Sequence, residues 1–296
     1  MIKSMPREMT SQQVFEVIAP GLRASLQDDG RPLLKKWGVP RSGVMDQSIY
    51  RRLCLLLDLT DDSAVIESML GGLELLCLND CWICHAGPGE VKINGCASPS
   101  WRTVQVAKND RLTIAHHPQG LWNYLAVEGG FVGEKWLGSR SVWPAGGMGK
   151  LLRAGDVLGR YTGEIYPPHS AIKARYLEVE PRMEGPIAVW PGPQWDDFSE
   201  ASRCRFLEST WQVSPQSSRA GYRLDGPKLD VPAGQMLSEP MLLGSIQVPP
   251  NGQPIAILND GPTVGGYPKI ALITEESLDQ FRQSSPGTKI QFSLTT

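Results

Sequence analysis

Residues 81–85 read "CWICH", which matches C-x-x-C-H, the short pattern by which a c-type haem is attached covalently. The letters lie in "NDCWICHAGPGEVKINGC", which predicts a strand, a Gly-Pro turn and a second strand ending in an Asn-Gly turn. Residues three apart on a strand point to opposite faces, so Cys81 and Cys84 are predicted to diverge. A thioredoxin-type pair also needs a helix start, and no helical pattern follows. The sequence therefore favours two reduced thiols in a strand over a haem or redox site.

The sequence does not match the standard motifs for metal, phosphate or acyl chemistry. Its four histidines form neither H-E-x-x-H nor a zinc spacing with cysteine, so no metal site is predicted. The segment "GGMGK" fails as a phosphate loop, because Pro144 holds the place of the first glycine and Leu151 follows the lysine. The sequence also has no G-x-S-x-G elbow, so the nucleophilic serine of an α/β-hydrolase is disfavoured.

Three turn-rich segments, residues 25–46, 137–150 and 238–270, carry more polar side chains than pattern or packing requires. Their glycines let the backbone approach a ligand closely, although a plain turn is the commoner meaning of any one such segment. The polar residues beside these glycines are candidate donors and acceptors: Asp28, Arg31, Ser42, Asp46, Arg140, Gln247, Asp260 and Tyr267.

Mostly strands are predicted to position these loops. Glycine (31) and proline (24) are frequent among the 296 residues, and turn dipeptides such as Asn94-Gly95 separate β-like runs from "FEVI" to "KIQF". Helical patterns are confined to residues 45–59, 196–207 and 274–283, the last beginning at Thr274. Because helices do not alternate with strands, the sequence predicts a mainly β chain and disfavours a doubly wound α/β fold.

Composition narrows the class of protein further. The 29 Lys and Arg against 31 Asp and Glu give a net charge of -2, so no nucleic-acid or membrane partner is predicted. The densest apolar run, "LCLLLDL", is far shorter than the ~20 residues of a spanning helix. The amino terminus, "MIKSMPREMTSQQ", has no apolar signal region, so a cytoplasmic location with six free thiols is expected. The Pro-rich, charged residues 164–186 predict a domain boundary.

Seven segments, in order from about residue 14 to 293, resemble the family of 5-oxoprolinase C-type subunits. The family is also described as biotin-dependent carboxyltransferase subunits (allophanate hydrolase subunit 2-like) and as relatives of the antagonist of a kinase inhibitor. The segments are "PGLRASLQDDGRPLLKKWGVPRSGVMD", "ESMLGGLEL", "YLAVEGGF", "LGSRS", "PGPQ", "VSPQSSRAGYRLDG" and "SIQVPPNGQPIAILNDGPTVGGYPKIA". One loop departs from the family pattern, because "DxQTTGGYP" becomes "DGPTVGGYP" with Pro262 and Val264. The chain thus resembles a member diverged in one signature loop.

The resemblance implies two cyclophilin-like β-barrel domains with a few short helices, at residues 14–175 and 185–296. It implies one chain of a hetero-oligomeric, ATP-dependent 5-oxoprolinase, which cleaves 5-oxoproline to glutamate with a cognate B-type subunit of the same family and a third 5-oxoprolinase subunit. One alternative is the carboxyltransferase subunit of a biotin-dependent, urea-type carboxylase, which would need a biotin carrier. Another is a regulatory partner of a kinase inhibitor, without catalysis.

The resemblance also suggests roles for twelve residues. A lactam carbonyl reacts poorly until it is polarised or phosphorylated, so the site must present fixed donors to an oxygen that gains negative charge. An arginine could hold a substrate carboxylate by a two-pronged contact, and aspartates could handle protons or orient ligands. The candidate catalytic residues are Asp28, Asp46, Asp260 and Lys269, and the candidate substrate-binding residues are Gln27, Arg31, Ser42, Arg140, Gln247, Gly265, Gly266 and Tyr267.

Overall fold

The computed structural model describes residues 10–118, 120–162, 185–234 and 236–295, and it is mainly β, which confirms the predicted fold class. The described residues form two compact units. The first unit consists of residues 10–29, 48–117 and 122–162, and the second of residues 30–47, 118, 120–121, 185–234 and 236–295. The domain limits 14–175 and 185–296 stay a prediction, and nearly all of the predicted boundary segment lies outside the described residues.

The first unit contains two antiparallel sheets. Its strands are β1 (Thr10–Pro20), β2 (Arg23–Gln27), β3 (Val65–Met69), β4 (Leu73–Cys77), β5 (Cys81–Ala86), β6 (Val91–Ile93), β7 (Cys96–Ser98), β8 (Thr103–Val106), β9 (Arg111–Ile114), β10 (Trp122–Val127) and β11 (Val157–Thr162). The six-stranded sheet has the order β11-β1-β4-β9-β6-β7, and the five-stranded sheet has the order β2-β3-β10-β5-β8. Both sheets contribute side chains to one apolar core, for example Leu75 from β4 and Leu125 from β10.

Strand β5 contains "CWICH", and its side chains alternate as predicted. Cys81 and Ile83 belong to the apolar core of the first unit, whereas Cys84 is buried outside that cluster. The His85 ring lies 3.1 Å from Ser98 Oγ through Nε2, and burial lowers the pKa of His85 to about 4. The imidazole is therefore neutral at physiological pH, and both cysteines of the motif are free thiols.

The second unit is built on one eight-stranded sheet and a two-stranded ribbon. Its strands are β12 (Ile187–Pro191), β13 (Trp211–Val213), β14 (Gly221–Asp225), β15 (Glu239–Pro240), β16 (Ser245–Gln247), β17 (Ile255–Ile257), β18 (Val264–Gly265), β19 (Lys269–Ile273), β20 (Lys289–Ile290) and β21 (Phe292–Leu294). The large sheet has the order β20-β13-β14-β17-β16-β19-β12-β21, and β15 pairs with β18 alone. Stacking of Phe206 on Phe292, with ring centroids 4.7 Å apart, marks the aromatic part of its core.

The described α-helices are α1 (Gln47–Leu56), α2 (Glu200–Glu208) and α3 (Glu275–Arg282), one in each segment that the sequence predicts to be helical. Thr274 caps α3, as predicted, by accepting from Ser277 N. The prediction that the second helix starts at Asp196 is wrong, because Ser199 caps α2 and the preceding residues form a 3₁₀ turn. None of the described helices is long and apolar enough to cross a membrane.

The burial of the cysteines predicts a two-step reaction with a thiol reagent. Cys96 and Cys204 are exposed, so these two thiols should react quickly in the native protein. Burial raises the pKa of the Cys54 and Cys84 thiols to about 12, which keeps them protonated and slow. All six thiols should react once the chain is unfolded in guanidinium chloride, as measured with an aromatic disulfide reagent. A native count of three or more fast thiols would contradict the described burial.

Candidate functional site

In the first unit, Asp28 follows β2 and is satisfied by a neighbouring loop. Ser139 Oγ and Ser141 Oγ each donate to Asp28 Oδ1 at 2.5 Å, and Arg140 N donates to Oδ2 at 2.6 Å. These three donors fix a carboxylate that is only 2% exposed. Asp28 therefore clamps residues 139–141, the centre of "LGSRS", against the end of β2, and its predicted catalytic role stays a prediction.

The Arg140 guanidinium contacts other residues of the first unit. Its Nη1 donates to Asp62 O at 2.8 Å, its Nη2 donates to Tyr161 OH at 3.1 Å, and its Cζ lies 5.1 Å from the Tyr161 ring centroid. Gln27 Nε2 donates to Val142 O at 3.1 Å. Both predicted binding residues thus support the loop that Asp28 clamps, and neither side chain is exposed.

In the second unit, Asp260 forms a buried two-pronged ion pair. Arg219 Nε lies 2.9 Å from Asp260 Oδ2, and Arg219 Nη2 lies 3.3 Å from Oδ1. The same Nη2 donates to Gly43 O at 2.6 Å. The pair therefore ties two turn-rich segments together, and removing one partner would leave a buried charge. The sequence alone did not single out Arg219, because its position in "SSRAGYR" gives no sign of its partner.

Ser42 lies in the segment that this ion pair holds. Its N donates to Asn259 O at 2.9 Å, and Asn259 Nδ2 donates back to Ser42 O at 3.1 Å. Ser42 is fully buried and has φ of 54°, a left-handed backbone that costs a non-glycine residue energy. The reciprocal bonds to Asn259 stabilise that conformation.

Arg31 and Asp46 are also buried in this turn-rich segment, residues 25–46. Arg31 N donates to Arg41 O at 2.6 Å, and Asp46 Oδ2 accepts from Gln283 Nε2 at 3.0 Å. Gln283 Oε1 in turn accepts from Leu121 N at 3.0 Å. The described contacts give Asp46 a structural partner within the second unit, and the predicted roles of both residues stay predictions.

Lys269 and Gln247 come together on the large sheet. They are directly opposed in the antiparallel pair of β16 and β19, so their side chains leave the same face. The Lys269 side chain is 3% exposed, and its ammonium pairs with Glu239 Oε1. Gln194 joins the group, because its Nε2 donates to Glu239 Oε1 at 3.0 Å and its Oε1 accepts from Lys269 N at 3.0 Å.

The Lys269 ammonium has unused hydrogen-bonding capacity. Glu239 Oε1 is its one ion-pair partner among the described residues, and no described atom accepts a well-aligned hydrogen bond from Nζ. An ammonium carries three N–H bonds, so at least two of them lack an acceptor in the described part of the chain. A buried donor without an acceptor is costly, and a ligand oxygen would satisfy it.

Glu239 is held as a carboxylate by this arrangement. The contact with the Lys269 ammonium is the largest cause that lowers the pKa of Glu239, and the hydrogen bond from Gln194 adds to it, against desolvation. Glu239 therefore remains ionised at neutral pH and balances the buried ammonium. Its side chain is 36% exposed, so the pair is open to solvent on the Glu239 side.

A glycine permits the ribbon to approach this pair. Glu239 is opposite Gly265 in the β15–β18 ribbon. A Cβ on Gly265 would lie 2.9 Å from Met241 Sδ and 3.4 Å from Gln247 Oε1, and real Cβ atoms essentially never come as near as the first of these distances. The glycine predicted as a binding residue thus leaves room for the buried Met241 side chain, and it places backbone beside the Gln247 amide.

A groove of about 580 Å³ adjoins the loop that leads to Lys269. Gly266, Tyr267 and Pro268 line one side of it, and Pro232 and Met236 are among the residues that line the rest. Tyr267 is 43% exposed, and none of the described residues that line the groove is charged. The groove therefore suits an apolar or ring-shaped part of a ligand better than a phosphate.

We define the Lys269 cluster as Gln194, Glu239, Gln247, Gly265 and Lys269. It combines a buried ammonium, two side-chain amides and close backbone, which can stabilise an oxygen that gains negative charge. Sequence reasoning found three of its members and missed Gln194 and Glu239. The available signal was physical, because a lysine expected on a buried strand needs a carboxylate nearby.

Among the described residues, no three His, Cys, Asp or Glu side chains are grouped as metal ligands would be.

Known proteins are similar in sequence to this chain over nearly its whole length. Residues 37–294 match the family model "Carboxyltransferase domain, subdomain A and B". The chain is 33% identical over 290 residues to the C-type subunit of 5-oxoprolinase from Escherichia coli K12, covering 94% of this chain and 90% of the relative. These matches confirm the resemblance proposed from the sequence.

Solved structures are also similar to this chain over nearly its whole length. The crystal structure of TTHA0988 is similar with a TM-score of 0.86 and 30% identity, covering 98% of this chain and 56% of that one. The Kluyveromyces lactis urea carboxylase is similar with a TM-score of 0.87 and 28% identity, covering 96% of this chain and 27% of that one. The chain therefore spans just over half of the first protein and about a quarter of the second.

The clamp at Asp28 predicts a loss of stability when its charge is removed. Asp28→Asn should lower the free energy of unfolding by about 1.5–3 kcal/mol, because its hydrogen bonds involve a buried charged acceptor. Asp61→Asn, at an exposed position of the same unit, is the matched control and should change little. Urea denaturation measures both variants. Equal stability of Asp28→Asn and the wild-type protein would show that the clamp contributes nothing.

The Lys269 cluster predicts how Glu239 titrates. Because the folded pKa is lowered, the stabilising contribution of Glu239 is present above its ordinary value of 4.5 and is lost as pH falls through the folded value. Lys269→Met should return the pKa of Glu239 toward that ordinary value, as followed by carboxylate NMR. Lys228→Met, at an exposed position of the same unit, should leave the titration unchanged. A pKa of Glu239 that is unchanged in Lys269→Met would disprove the ion pair.

Proposed function

The chain belongs to the carboxyltransferase domain family, subdomain A and B, and we propose that it is a subunit of an ATP-dependent 5-oxoprolinase that cleaves 5-oxoproline to glutamate. The observation that carries this proposal is the 33% identity with the C-type subunit of the Escherichia coli 5-oxoprolinase across 94% and 90% of the two chains. A match over nearly the full length of both chains favours a shared role over a shared fold alone.

The Lys269 cluster supplies what this reaction needs from the protein. Attack of water on the lactam carbon places negative charge on the carbonyl oxygen until the ring C–N bond breaks and the nitrogen takes up a proton. A buried ammonium with unused N–H bonds and the Gln247 amide are suited to hold that oxygen. Glu239, whose lowered pKa leaves it ionised, balances the charge of that ammonium.

The groove beside Tyr267 supplies apolar walls for the ring. Its lining by Gly266, Tyr267 and Pro268 ends one residue before Lys269, and we propose that a ring bound there places its carbonyl near the start of β19. The substrate carboxylate then needs a cation, a role for which Arg31 of the same unit remains a candidate. We propose that partner chains complete carboxylate recognition.

We further propose that ATP binds with the help of partner chains, because the sequence carries no phosphate loop. A cognate B-type subunit and a third 5-oxoprolinase subunit would complete a cytoplasmic hydrolase that acts on a cyclic amide. The name of the Escherichia coli relative, which describes one subunit of an enzyme, supports such an assembly.

A second candidate function is a carboxyltransferase. The observation that favours it is the similarity to the Kluyveromyces lactis urea carboxylase, with a TM-score of 0.87 over 96% of this chain. In that case a biotin carrier would deliver the carboxyl group, and the Lys269 cluster would hold the oxygen of the accepting amide. The same oxyanion chemistry serves both reactions, so the substrate has to be tested directly.

Reconstitution tests the proposal. The purified chain mixed with its partner chains should release glutamate from 5-oxoproline only when ATP is present. Lys269→Met should lower kcat/KM about 100-fold, the effect of removing one preorganised oxyanion donor. The exposed Lys228→Met is the control and should keep full activity.

The outcomes separate the candidates. Full activity of Lys269→Met would remove Lys269 from the mechanism while leaving the 5-oxoprolinase assignment in place. No glutamate release with or without ATP, together with transfer from carboxybiotin, would favour the carboxyltransferase. A stable complex with neither reaction would favour a regulatory partner of a kinase inhibitor.

A further inference from the structure

The loop after β12 lies directly against strand β19. Gly192 N donates to Ile270 O at 2.9 Å, and a Cβ on Gly192 would lie 2.2 Å from Lys269 O. Any side chain at residue 192 would therefore push the loop off the strand. This contact brings Gln194, two residues later, to the first residue of β19.

The Gln194 amide contacts both the backbone of Lys269 and the partner of its side chain. Its Oε1 accepts from Lys269 N at 3.0 Å, and its Nε2 donates to Glu239 Oε1 at 3.0 Å. A neutral amide offers an acceptor and donors in one plane, which neither a carboxylate nor an apolar side chain does. Gln194 thus links a backbone position to the orientation of a carboxylate 45 residues away.

We propose that Gln194 is a positioning residue, which fixes the Glu239 carboxylate on the Lys269 ammonium so that the remaining N–H bonds of that ammonium stay available to a ligand oxygen. The catalytic consequence rests on the proposed function, but the positioning itself does not. Gln194 contacts no reacting atom in this role and acts only through Glu239.

The difference in exposure between the two partners explains why a positioning group is needed. The Glu239 side chain is 36% exposed, so water competes for its carboxylate. The Lys269 side chain is 3% exposed, so it has no such alternative partner. The hydrogen bond from Gln194 opposes rotation of Glu239 into solvent, which would leave a buried charge unpaired.

A double-mutant cycle on the full chain tests this inference. The variants are Gln194→Met, which keeps the length of the side chain but removes its hydrogen bonds, Glu239→Gln, and their combination. The measured quantity is the rate at which acetic anhydride acetylates the Lys269 amine at neutral pH, resolved by peptide mass spectrometry. Gln253→Met is the matched control, because Gln253 also uses both amide atoms in hydrogen bonds, in its case with the backbone of Gly226.

Gln194→Met should raise the acetylation rate of Lys269 about tenfold. The loss of one hydrogen bond to Glu239 weakens the ion pair, so the Lys269 amine is released from it more often. In the Glu239→Gln background the same substitution should have no further effect, because the group through which Gln194 acts is already altered. Gln253→Met should leave the rate unchanged. In the reconstituted complex, kcat/KM should fall with Gln194→Met as the acetylation rate rises.

Two results would overturn the inference. One is an unchanged acetylation rate in Gln194→Met, and the other is an equal increase in both backgrounds, which would mean that Gln194 merely holds the loop. If the cycle behaves as expected but the wild-type complex releases no glutamate, the proposed function fails and the positioning role stands.

Discussion

The burial of one ammonium group constrains much of the second unit. A charge removed from water must be paired, or it costs more free energy than a domain has to spare. Lys269 is the first residue of β19 and is 3% exposed, so the fold must bring a carboxylate to it. Glu239 arrives on a ribbon from earlier in the chain, and Gly265 permits the close approach of that ribbon. The site therefore depends on tertiary packing of three separate segments.

Two other carboxylates predicted to be catalytic, Asp28 and Asp260, hold loops. Asp28 accepts from two hydroxyls and a backbone N–H, and Asp260 accepts two donors from Arg219. Both side chains are at most 8% exposed, and each joins segments that lie outside the regular strands. Loops rich in glycine lose much conformational entropy on folding, so strong charge-assisted contacts stabilise them where a sheet does not.

The strands and helices follow from local patterns, which is why the mainly β class was predictable. Alternation and turn dipeptides identify β4, β5 and the Asn94-Gly95 hairpin. Short or polar strands lack periodicity, so the sequence predicts turns where the structure has β2, β15 and β18. Gln247 was found as a polar residue of a turn-rich segment, and Lys269 was found by resemblance. Gln194 was not, since its contacts with Lys269 span 75 residues and leave no local signal.

The loop predicted to depart from its family at Pro262 and Val264 has a simple pattern of exposure. Pro262 and the side chain of Val264, 58% exposed, face outward, whereas Thr263 between them is buried. Side chains that face solvent pack against few others, so substitutions at the two outward positions should cost little stability. The loop next to the Lys269 cluster therefore has two positions at which new contacts to a ligand or partner can be introduced without weakening the scaffold.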